Sequence, residues 1–137
     1  MTRTESQRAM QQALELVQQV SKENDEVKKI YGGLCHDFPI LTRTCGLCQA
    51  IAFSADKAQS DDSARSKAHQ FLLKHIGQIL GVQTDGTGGA DDPLLKHIAE
   101  AEAMQYMLYT RKVLHAWVYF KRFAVSILGV ETGGNRE

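Results

Sequence analysis

Proline occurs only twice in this chain, at Pro39 and Pro93, and alternation of β-branched with polar residues is missing almost everywhere. Those absences argue against a strand-rich fold and leave helices separated by a few breaks. Cysteine is sparse and odd in number, and the opening MTRTESQRAMQQ lacks the apolar core and small-residue cleavage site of a secretory signal. A reducing cytoplasm is the expected compartment. The longest apolar run, Val113 to Leu128, carries His115, Lys121 and Arg122 in its interior, so it reads as a buried helix and not as a membrane span. A charge excess is absent as well: 16 basic residues balance 16 acidic ones. Only the positions of the charges can argue for a polyanionic partner.

What is present fits one all-α domain. The chain has 137 residues, 43% hydrophobic and 23% charged, enough to bury a core without staples. The expected architecture is a single-domain bundle of about five to six helices over residues 1–130, with a flexible loop at about 82–92, a long C-terminal helical segment and a frayed tail at 131–137. Thr4-x-x-Gln7 forms a capping-box pattern before the apolar positions Met10, Ala13, Leu14 and Val17. A second, weaker helix carries Val27, Ile30, Tyr31 and Leu34, with Gly32 and Gly33 in its interior. Asp37 ahead of Phe38 and Pro39 predicts a new helix running to about Lys57, because proline suits a first helical turn. Ala64, Ala68, Phe71, Leu72, His75, Ile76, Ile79 and Leu80 give the clearest helical stripe, closed by Gly81. QTDGTGGADD is too poor in apolar residues to pack. From Leu94 the pattern runs to Leu128 as one spine or as two helices broken near Thr110.

Cys35, His36, Cys45 and Cys48 offer the ligand count of a structural zinc site, and CGLC has the spacing of a redox pair. Placed in a helix, Cys45 and Cys48 share the stripe Leu41, Cys45, Cys48, Ala52, Ala55, which is expected to face the core. Packing is therefore the expected role of these thiols, and no metal or cofactor is expected. His36 next to Asp37 reads as a helix-end pair, since a base and its orienting carboxylate need a geometry that adjacency does not supply. TDGTGGADD lacks the lysine and hydroxyl of a phosphate loop. Nothing in the residues argues for an enzyme.

Positive charge is concentrated where acids are missing. Ser63 to Val82 holds Arg65, Lys67, Lys74 and two histidines without an acid, and Ala103 to Val130 holds Arg111, Lys112, Lys121 and Arg122, again without one. Lys67 and Lys74 are expected on the face opposite the Phe71, Leu72, Ile79 stripe. Arg111, His115, Tyr119 and Arg122 share a stripe opposite Trp117 and Phe120. Arg43 and Lys57 add cations nearer the middle of the chain. Such faces suit a single-stranded nucleic-acid groove, in which cations track phosphate and a ring offers a stacking surface. A solvated helix face has the same pattern.

In YGGLCHDFPILTRTCGLCQAIAFSADK, the residues Tyr31, His36, Phe38, Pro39, Arg43, Thr44, Gly46, Leu47, Gln49, Ala50, Ala52 and Phe53 form a signature. It resembles the small helical subunit of the Cmr-type, type III-B, CRISPR complex. Element order agrees with that family over most of the chain, apart from the glycine-rich loop and the tail. The resemblance implies a non-catalytic subunit of an RNA-guided effector in antiviral defence, whose copies stack as a filament and contact the backbone and large subunits. It also implies a path for guide and target RNA, with Arg43, Lys57, Lys67, Lys74, Arg111, Lys112, Lys121 and Arg122 as the candidate contacts. Read from their own chemistry, Gly46 allows close helix approach, while Leu47, Ala50 and Phe53 fill space. A helical scaffold that only bridges proteins, or a zinc or thiol protein using the four Cys and His residues, are the alternatives.

Overall fold

The computed structural model describes residues 2–59, 63–84, 86 and 88–130. Among these described residues six helices follow one another: α1 (Glu5–Val20), α2 (Asp25–Cys45), α3 (Leu47–Gln59), α4 (Ala64–Leu80), α5 (Pro93–Ala99) and α6 (Ala103–Ser126). Among the described residues there is no strand, and no helix is long and apolar enough to cross a membrane.

Local chemistry explains most helix ends. Thr4 accepts from the Gln7 amide while the Gln7 side chain accepts from the Thr4 amide, a complete capping box at the start of α1. Asn24 caps α2 and Ser63 caps α4 in the same sense, and Gly81 ends α4 in the left-handed conformation. Two boundaries differ from expectation. The chain does not restart at Asp37: α2 runs through Pro39, although proline leaves the carbonyl four residues back without its usual donor. Phe38 and Pro39 are both buried, so packing on either side holds the helix together. The break comes at Gly46, whose φ of 90° strains any residue with a β-carbon. The second difference lies in the C-terminal segment, which breaks at residues 100–102 and not near Thr110. AEAEA has strong helix propensity, so the break is imposed by packing: α5 lies on α3, while α6 lies on α1, α2 and α4.

α2 and α4 form the centre, with α6 and α3 against them and α1 bracing α6. Where α2, α4 and α6 meet, Tyr31, Phe38, His75, Trp117 and Phe120 are fully or almost fully buried. Trp117 and Phe120 stack at 4.1 Å, and Phe38 sits 5.3 Å from Trp117. Gly32 has a tertiary reason inside this helix. A β-carbon there would come within 2.3 Å of Val130, which folds back over α2 after Gly129.

The described residues of the segment after α4 pack on the bundle, contrary to the expectation that it is too poor in apolar residues to pack. Gly89 donates to the Ala55 carbonyl of α3 at 3.0 Å, and Thr84 donates to buried Asp92 at 2.8 Å. The other Asp92 oxygen accepts from the amides of Leu94 and Leu95, capping α5. The tail at 131–137 lies outside the described residues.

Candidate nucleic-acid interface

The eight candidate cations come from α2, α3, α4 and α6. Arg43 is exposed in the last turn of α2. Lys57 is half-buried, its ammonium 5.4 Å from the centre of the Phe53 ring. Phe53 is 44% exposed and not the space-filler its sequence position suggests, and the edge of His69 meets its ring. Lys57 and Phe53 therefore make a cation–aromatic patch on α3, backed by the buried His69 of α4.

On α4 both lysines are exposed but engaged. Lys67 pairs with Glu23 of the α1–α2 turn at 3.1 Å, and Lys74 lies 5.8 Å from the Phe71 ring. Phe71 is only half-buried, so Lys74 shares its side of the helix and does not stand opposite it. Lys74 also borders a cavity of about 870 Å³ between α1, α4 and the 82–92 segment, together with Asp91 and Asp92.

Arg111, Lys112, Lys121 and Arg122 are all exposed on α6. At 100° per residue, Arg111, His115 and Arg122 fall in one row along the outside of the helix. The same outer face carries Met104, Met107, Leu108, Val118 and Val125, each at least 40% exposed. Lys112 and Lys121 leave this row on opposite flanks. Lys112 turns toward α1 and shares a notch with Arg8, a residue whose role has no local signal in the sequence because only the packing of α1 on α6 brings it there.

The cysteine cluster is dispersed. Cys35 is buried on α2 beside Tyr31, and burial pushes its thiol up to about 12. Cys45 is exposed and Cys48 half-buried, which corrects the expectation that both face the core. The reason is the break at Gly46, which interrupts the stripe that a continuous helix would have made. The close approach at this glycine comes from Tyr106 of α6, whose hydroxyl accepts from the Cys48 amide at 2.9 Å and caps the start of α3. Among the described residues no group of three or more His, Cys, Asp or Glu side chains is placed to hold a metal ion.

Residues 5–127 match the family model of the CRISPR-associated protein Cas_Cmr5. A curated relative described as the CRISPR system Cmr subunit Cmr5, from Thermus thermophilus, is 35% identical over 130 residues, covering 92% of this chain and 97% of the relative. The chain belongs to the Cmr5 family. A crystal structure of a CRISPR-associated Cmr5 family protein, also from Thermus thermophilus, superposes with a TM-score of 0.71 at 33% identity, over 94% of this chain and all of that one. Of the residues that carried the resemblance, Tyr31, His36, Phe38, Pro39, Leu47 and Ala50 are buried and belong to the core built on α2 and α3. Arg43, Thr44, Gln49 and Phe53 are exposed.

Proposed function

We propose that this Cmr5-family chain is the non-catalytic small subunit of a type III-B CRISPR effector complex. Copies of it stack as a filament beside the backbone and large subunits, and its basic helix faces line the path of guide and target RNA. The outer face of α6 carries the reading: it is free of acid from Ala103 to Val130, and it combines exposed arginines with exposed methionine, leucine and valine. Apolar side chains in that number suit a surface that is covered on assembly, and the cations beside them suit phosphate without base readout. Head-to-tail stacking of copies can also draw on acidic residues that meet a basic patch of the next copy. Asp92 is spent on capping α5, Asp91 remains exposed, and Asp61 and Asp62 lie outside the described residues.

The exposed apolar residues of α6 also favour a second reading, a scaffold that bridges proteins without touching RNA. Affinity purification from the host with a C-terminal tag tests both. Recovery of other Cmr subunits with short guide RNAs supports assignment to the effector; recovery of the chain with unrelated partners and no guide RNA overturns it. Arg111→Glu with Arg122→Glu separates the two readings. An RNA wall predicts intact assembly with weakened RNA capture, whereas a scaffold predicts that assembly fails first.

A further inference from the structure

A notch of about 220 Å³ opens where α1 crosses α6 over the end of α4. Arg8 and Gln12 form one wall, Lys112 and His115 the other, Ile79 lies between them, and Glu5 is the one acid lining it among the described residues. Arg8 and Lys112 form no ion pair among the described residues, and neither does Glu5. Two permanent cations and an imidazole thus face one small concavity against a single carboxylate. Like charges brought together this way repel unless an anion joins them. The walls are held in place: the Gln12 side-chain amide donates to the Gln78 carbonyl at 3.1 Å, which ties α1 to the last turn of α4. A guanidinium, an ammonium and an imidazole that line one notch from two helices suit the several oxygens of a phosphate, and the apolar Ile79 suits the sugar attached to it.

From this geometry we infer that the notch of Arg8, Lys112 and His115 seats a backbone phosphate of a single RNA strand. The inference rests on the RNA reading above and extends it to α1. His115 belongs both to the notch and to the outer row with Arg111 and Arg122, so a strand seated here continues along α6. Base identity plays no part, because none of the cations is held in a pocket shaped for a base edge.

The test is amide NMR on the full chain at low salt, titrated separately with inorganic phosphate and with a hexauridylate RNA. Saturable RNA-induced shifts at residues 5–12, Ile79 and 112–116 are expected. The double variant Arg8→Gln with Lys112→Gln is expected to weaken RNA binding at least fivefold at unchanged melting temperature, since both side chains are exposed. RNA shifts confined to α3 and α4 would overturn the notch and leave the RNA reading standing. Phosphate saturating the notch while RNA leaves it untouched would overturn the assignment to RNA.

Discussion

The hydroxyl of Tyr31 on α2 and Nδ1 of His75 on α4 lie 2.6 Å apart, both fully buried at the centre of the bundle. Burial raises the Tyr31 phenol well above its ordinary pKa, and the neighbouring Cys35 adds to the rise. Among the described residues Nε2 of His75 has no hydrogen-bond partner, so the bond with Tyr31 is the one that meets the polar demand of this ring. Tyr31→Phe leaves a buried imidazole with neither nitrogen bonded. We expect a loss of about 1–3 kcal/mol in denaturant unfolding. Adding His75→Leu should recover part of it, because both polar partners are then gone; equal or greater loss in the double variant would refute a stabilising hydrogen bond.

Two buried histidines make the fold acid-sensitive. Burial, helped by the nearby Lys74, lowers His75 to about 3; burial, helped by Arg65 and Lys57, lowers His69 to about 4. Above the ordinary value near 6.5 both rings are neutral in the folded and the unfolded chain, and these groups contribute no pH dependence. Below it the unfolded chain binds protons that the folded chain excludes, so stability falls as pH falls. Between pH 6.5 and about 4 the two together give a slope approaching about 2.7 kcal/mol per pH unit. Urea unfolding across this range measures it, and His69→Gln should roughly halve it. A flat profile would show that neither ring is held neutral.

The adjacent glycines of α2 should respond in opposite directions. A β-carbon at Gly33 meets nothing within 4 Å, whereas one at Gly32 strikes Val130. Gly33→Ala should stabilise by about 0.5–1 kcal/mol through helix propensity and a less flexible unfolded chain. Gly32→Ala should destabilise, or release the turn after α6. Thermal unfolding of the two variants is the check, and equal shifts would contradict the docking of Val130.

Thiol accessibility separates the three cysteines. Cys45 should react with a water-soluble disulfide reagent in the native state, while Cys35 should react only on unfolding. Mass spectrometry after brief native labelling reads this directly. Early modification of Cys35 would mean that α2 opens locally.

Local rules made much of the bundle legible. The capping box at Thr4, the α4 stripe and the glycine at its end all follow from patterns within one or two turns. Misplaced features depend on neighbours distant in sequence. Pro39 looks like a helix start until the buried surfaces around it are counted, and AEAEA looks helical until α5 is seen docked on α3. The site was legible in composition only: an acid-free segment reveals that α6 is cationic, but not that Lys112 meets Arg8. Phe53 carried no outward signal either, since an aromatic beside alanines reads as core.

The most direct test of an RNA-lining role is the salt dependence of target-RNA capture by the assembled effector containing Lys74→Glu, Arg111→Glu and Arg122→Glu together. If these side chains meet phosphates of a single strand, affinity falls and the log–log salt slope shrinks by about 0.7 for each phosphate no longer neutralised. Normal assembly with an unchanged affinity and slope would contradict the RNA-lining role and leave this chain a scaffold.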